Sequence, residues 1–251
     1  MKKSKLGPLA LLGLLREVRS GSGDRRPIAV AGAKELVPLL ARGLRSGGDA
    51  SAVVEGRTAD AAILVWVGNA DESQLHQAAR AGIPIVAVSE DESLPYVLET
   101  DIVRVPGGQG FPLDEIAAVI ANKLGEAATD LAARLPVLRD AVCEHLIAAA
   151  AKRNALIAAA VFVPGVDMPI LTLNQARLVL RIALAHGETV DQSRFAELLG
   201  VVGLGFGFRA AARVLLDVVP VAGWALKGAV AYGGTKAVGE AAVRYFAMRT
   251  T

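Results

Sequence analysis

Between Pro27 and Glu126 short β-rich runs alternate with helical stretches, and this alternation limits the fold more than any other feature of the chain. The candidate strands are Ile28–Ala31, Ala52–Val54, Ile63–Val67, Ile85–Val88 and Ile102–Val105. Helical stretches fall at Glu35–Arg45, Glu72–Ala81 and Leu113–Leu124, with a short one near Leu94–Leu98. Apolar strands alternating with helices predict a small parallel sheet covered on both faces, an α/β domain. Ligands of such sheets sit at the carboxyl ends of the strands, so the loops there carry the functional question.

Composition sets the outer limits. The chain has 251 residues, 53% hydrophobic and 4% aromatic, with 26 glycines, and a mean hydropathy of +0.43. A chain so apolar does not stay unfolded in water, which excludes intrinsic disorder. A net charge of +2 excludes bulk-electrostatic nucleic-acid binding. One cysteine, Cys143, excludes a disulfide framework, and three scattered histidines, His76, His145 and His186, give no metal-ligand spacing. Residues 1–154 hold 18 Lys/Arg and 19 Asp/Glu, against 9 and 6 in residues 155–251. A water-facing part therefore precedes an apolar one.

The first 24 residues read as a leader helix and linker. Lys2, Lys3 and Lys5 precede an apolar stretch from Leu6 to Leu15, but Arg16, Glu17 and Arg19 follow where a secretory cleavage site would stand. The stretch is also shorter than the roughly 20 residues that span a bilayer. Leu11, Leu14, Leu15 and Val18 recur at helical spacing, so an amphipathic helix is expected, docked on the body of the protein or lying on anionic lipid. Ser20–Asp24 reads as a flexible linker.

The strand-end loops of residues 25–127 lack the groups that handle phosphate. After the first strand comes Gly32-Ala33-Lys34-Glu35-Leu36-Val37-Pro38. A P-loop needs a second glycine five residues on, then Lys and Ser/Thr, where this chain has Val37, Pro38 and Leu39. Neither a phosphate cradle nor a counter-charge for it is present, and no GxGxxG motif replaces them. Lys34 reads as a solvated surface lysine.

The segment DAAILVWVGNADESQLHQAARAGIPIVAVSEDE, Asp60 to Glu92, resembles the middle of a bacterial GTPase domain. Ser89, Glu90, Asp91 and Glu92 stand where that family reads guanine with Asn-Lys-x-Asp. Asp101–Val105 and GGQGFPLDEIAAVIANKLGE resemble the family's last strand and helix, with Pro106, Gly107 and Gly108 in place of its Ser-Ala-Lys signature. The resemblance covers about a hundred residues and implies a Rossmann-type three-layer, GTPase-like domain stripped of nucleotide motifs, so no cofactor is expected. Gly107, Gly108 and Gly110 fit either an anion-accepting nest or a strand-to-helix turn, and the turn is preferred. Asp71, Glu72, Glu90, Asp91, Glu92 and Asp114 suit helix N-termini at least as well as a cation site.

From residue 128 the strand pattern ceases and an apolar helical module is expected. Residues 137–163 read as one helix ended by Pro164-Gly165. Cys143 and His145 lie two apart on it and so point apart, which disqualifies a thiol–imidazole pair. Asp167 is the one charge between Arg153 and Arg177, but Pro164, Gly165 and Pro169 interrupt that segment, predicting a helical hairpin rather than a membrane span. The next helix, Leu171–Ala185, carries Asn174, Arg177 and Arg181 in one stripe. Arg209, Arg213 and Asp217 follow LLGVVGLGFGF at i, i+4 and i+8. On the last helix Gly223, Ala231, Thr235 and Gly239 form a small-residue seam suited to close helix contact.

MPILTLNQARLVLRIALAHG and GFRAAARVLLDVVPVAGWALKGAVAYGGTKAVGEAAVRYF resemble the YcjF-like family. That is a bacterial domain without assigned activity, often fused to or encoded beside small GTPases and often read as membrane-associated. The resemblance runs from about Ala148 to Phe246 and implies a role beside GTPase-type domains.

The expected function is a non-catalytic, membrane-associated scaffold or regulator, its GTPase-like domain facing the cytosol from the cytoplasmic membrane. Its partners would be the membrane or a protein, a GTPase among the candidates. The alternatives are a soluble interaction or homo-oligomerising protein and an unrecognised small-molecule-binding α/β protein. Asn174, Arg177, Arg181, Arg209 and Arg213 are expected to form one interhelical network, with Gly223, Thr235 and Gly239 as packing positions.

Overall fold

A computed structural model of the chain describes residues 13–14, 16–18, 23–56, 59–160, 168–189 and 223–250. It divides into two compact units, Ser22–His145 and a second made of Met1–Gly21 with Leu146–Thr251.

The first unit is built on a five-stranded, all-parallel sheet: β1 (Ile28–Gly32), β2 (Val53–Glu55), β3 (Ile63–Val67), β4 (Ile85–Ser89) and β5 (Ile102–Arg104), in the order β2-β1-β3-β4-β5. The order reverses between β1 and β3, the point at which two strand ends splay their loops apart. Helices α1 (Val37–Arg45), α2 (Glu72–Arg80) and α3 (Leu113–Leu124) join strands or follow the last. β3 and β4 are buried along their whole length, which explains why they read as continuous apolar runs.

The two faces are covered differently. Ala29, Ala31, Leu64, Trp66, Ile85 and Ala87 form one face, under Leu75 and Ala78 of α2 and the loop residue Leu94. Alternation turns Ile28, Val30, Val65 and Val86 to the other face, where α1 and α3 lie. These two helices touch: a Cβ on Gly43 would stand 3.1 Å from Leu113. The stretch near Leu94–Leu98 is not a helix. Pro95 interrupts it and Tyr96 takes a left-handed φ of +64°, leaving Leu94 as a plug before the short 3-10 turn Glu99–Asp101.

Packing in this unit continues past the last strand. Leu131 of α4 (Thr129–Arg134), Leu135 just after it, Leu138 of the 3-10 turn Pro136–Leu138 and Val142 at the start of α5 (Arg139–Ala160) are fully buried. Asp49 N–H donates to Arg134 O at 2.8 Å, and Arg134 Nε returns a bond to the Asp49 carboxylate at 3.0 Å. The amides of Gly23 and Asp24 both donate to Asp130 Oδ2, so the end of the expected linker is pinned. The change from mixed to purely helical pattern at residue 128 thus precedes the division between units, which falls at His145.

The second unit contains the later part of α5, α6 (Met168–Ala185) and α7 (Gly223–Thr250). Pro169 sits in the first turn of α6, where a missing N–H is tolerated. Gly228 meets Ala155 and Gly239 meets Ile147, so α7 runs antiparallel to α5. Contacts from Gln175 to Thr235 and from His186 to Phe246 make α6 and α7 parallel. Leu14 and Val18 of the leader are buried in this unit, and Glu17 bonds Arg177 Nη2 at 2.7 Å. No described helix is long and apolar enough to cross a membrane.

Candidate functional site

A cleft of about 700 Å³ opens at the carboxyl ends of β1, β3, β4 and β5, across the point where the strand order reverses. Its floor is tight backbone. Gly32 holds φ +128°, and a Cβ there would fall 2.0 Å from Val67 O; Gly68 holds φ +97° and meets the Ala33 methyl. Glycine is required at both positions because two strand ends pinch together.

The same pinch uses the amides that an anion would need. Ala33 N–H donates to Val67 O at 2.7 Å and Gly68 N–H to Val88 O at 2.9 Å. At the start of α1 the amides of Leu36 and Val37 both donate to Ala33 O. Beyond β5, Gln109 N–H donates to Pro106 O, with Gly108 at φ +81°. Gly107 and Gly108 are therefore the central residues of a Pro106–Gln109 turn closed by its own backbone bond.

The walls carry apolar and acidic groups. Leu36 and Leu39 of the first loop and α1 are 37% and 53% exposed at the mouth, while Trp66 is buried below and donates its Nε1–H to Asn69 O. Among the described residues the charged side chains lining the cleft are Asp71 and Glu90. Asp71 caps α2, accepting from the Gln74 amide and from Gln74 Nε2. Ser89 is buried and accepts from Asp91 N–H. Asp101 is held by Lys123, away from the cleft. No group of three or more metal-ligating side chains occurs among the described residues.

The polar residues singled out in the helices meet elsewhere, in the second unit. Asn174 Nδ2 donates to Asn154 Oδ1 at 2.8 Å, and Arg177 Nη1 donates to Asn174 Oδ1 at 3.1 Å. Asn154 Nδ2 in turn donates to Thr235 Oγ1. Arg181 lies on the same helix, its pKa lowered by burial against the opposing pull of the Glu17 carboxylate. Thr235 joins this polar line, whereas Gly239 gives close packing: a Cβ there would lie 2.4 Å from Ile147 Cγ1. Gly223 begins α7. Arg209, Arg213, Asp167, Asp217 and the Pro164-Gly165 turn lie outside the described residues. Sequence reasoning missed Asn154 at the centre of the network. Its signal was an amide on the helical face that otherwise carries Ala151, Ala158 and Ile147.

Cys143 is buried, and its thiol is pushed up to about 12, by desolvation first and by the Asp140 charge second. His145 turns to Asn122, at 2.8 Å from Nδ1. No family model matches the chain, and neither a curated protein nor a solved structure is significantly similar to it.

Proposed function

We propose that the chain is a non-catalytic scaffold or regulator seated on the cytosolic surface of a membrane, with its α/β unit, a GTPase-like fold without nucleotide motifs, turned to a protein partner. The observation that carries this reading is an exposed apolar rim at one end of the helical unit. Leu156 is 72% exposed near the end of α5, and Ile170 and Leu226 are exposed near the starts of α6 and α7. The Ala155–Gly228 contact brings Leu156 and Leu226 to the same end. Exposed Lys152 lies one turn from Leu156, and exposed Lys236 one turn from Tyr232. Apolar side chains beside lysines suit an interface with anionic lipid, entered from the side rather than crossed.

The soluble oligomer reading would use the small-residue seam of α7, Gly223, Ala231, Thr235 and Gly239, but Thr235 and Gly239 pack against α5 of the same chain. Those two positions are therefore occupied. The five-strand order is common to doubly wound sheets of many chemistries, so the GTPase-like assignment rests on the sequence resemblance.

Sedimentation with vesicles tests the proposal. Binding to phosphatidylcholine vesicles containing phosphatidylglycerol, weakened by salt and by the pair Leu156→Ser and Leu226→Ser, is the expected result. Recovery of the whole protein in the supernatant with every vesicle composition would overturn it.

A further inference from the structure

We propose that the strand-end cleft of the α/β unit binds an organic cation on an apolar stem, an alkylammonium or alkylguanidinium group, with Glu90 as its counter-charge. The cleft lies where doubly wound sheets bind ligands, but its chemistry is opposite to that of a phosphate site. The amides of Ala33, Leu36, Val37, Gly68 and Gln109 donate to backbone carbonyls, so these positions offer no cradle to an anion. The charged lining is carboxylate at Asp71 and Glu90.

The two carboxylates are not equivalent. Asp71 accepts two bonds from Gln74. Glu90 forms no ion pair among the described residues and lies over the backbone of Gly107, where a Cβ would come within 2.6 Å of its Oε1. Gly107 thus leaves room for that carboxylate against the turn. Leu36 and Leu39 supply an exposed apolar wall, and Phe111 and Trp66 line the cleft as well. A cation with a hydrocarbon stem satisfies both surfaces: the stem covers the leucines, and the head meets the exposed Glu90 carboxylate. The inference does not depend on the helical unit meeting a membrane.

This chemistry has two sources, a free amine or guanidine and the Lys or Arg side chain of a partner protein. The protein has two tryptophans, Trp66 and Trp224. In a Trp224→Phe background, fluorescence of Trp66 reports on the cleft; calorimetry on the unsubstituted chain gives an independent reading. The probes are n-butylguanidinium, a capped Leu-Arg-Leu peptide, butyrate and inorganic phosphate.

Saturable binding of either cationic probe is expected, weakened about two- to fivefold in Glu90→Gln and unchanged in Glu144→Gln, which removes an exposed charge on α5. Tighter binding of the peptide assigns the site to a partner's side chain; equal or tighter binding of butylguanidinium assigns it to a free cation. The proposal is overturned by equal binding of butyrate or phosphate, by a Glu90→Gln variant that binds as the parent does, or by the absence of saturable binding to both cations.

Discussion

Asn154 donates its amide to the Thr235 hydroxyl across 2.9 Å, with both side chains sealed from solvent. The bond joins α5 to α7, and the Asn154 oxygen accepts from Asn174 of α6, so one side chain connects three helices. A buried amide of this kind is tolerated only while its partners remain. Asn154→Ala should lower stability by about 2–3 kcal/mol, because it strands polar groups on two neighbours, and Thr235→Val by about 1–2 kcal/mol. Denaturant unfolding of the single and double variants checks this; a double-variant loss smaller than the sum measures the shared bond.

Leader docking predicts a contrast between two substitutions. Leu14 is buried, while the Glu17 partner of Arg177 is about half exposed. Leu14→Ala should therefore cost about 2–4 kcal/mol through its cavity, and Glu17→Ala no more than about 1 kcal/mol. Thermal melts of the two variants decide whether apolar packing or the ion pair holds the leader. Arg177→Ala is expected to lower stability too, since it loses Asn174 and Glu17 together.

The strands were legible because burial on both faces leaves a continuous apolar signature, and β3 and β4 show it in full. The strand-end glycines are visible in the sequence, but the sequence shows only the motif that is missing around Gly32. Its role depends on Val67, thirty-five residues away, and no local pattern carries such a contact. Asn174 and Arg177 were found because polar residues at helical spacing stand out on an apolar helix. Asn154 and Glu17 complete their set from other segments, and pairing across segments is a tertiary fact. The cleft was legible in place but not in chemistry, since the destination of each loop amide is not written in the sequence.

Backbone closure at the cleft gives a sharp test. Gly32→Ala places a methyl against Val67 O at a φ that alanine avoids, so a loss of about 3 kcal/mol or more is expected. Gly239→Ala meets a side chain instead, and about 1–3 kcal/mol should be lost. Combining it with Ile147→Ala removes the clash, so the pair should lose less than the sum of the singles. Urea midpoints measure both.

Cys143 should be inert in the native protein. With its thiol pushed up to about 12 and its side chain buried, the thiolate is scarce at pH 8. Iodoacetamide should leave the folded chain unlabelled and modify it fully in denaturant. Rapid labelling of the folded chain would show that the start of α5 opens.

Acid should weaken the α/β unit at Asp49. Its carboxyl is held down to about 2, first by the Ser51 hydroxyl, then by the Ser51 amide and Arg134. A carboxyl lowered in the folded state stabilises it above the unfolded value, about 4, and that contribution disappears as pH falls through the folded value. Between about pH 4 and pH 2 the chain should therefore lose stability that Asp49→Asn does not lose, because asparagine has no proton to take up. Urea unfolding of both proteins across that range should give converging midpoints, with the parent ahead at pH 5. Parallel pH curves would mean that the carboxylate is no better held in the folded chain than in the unfolded one.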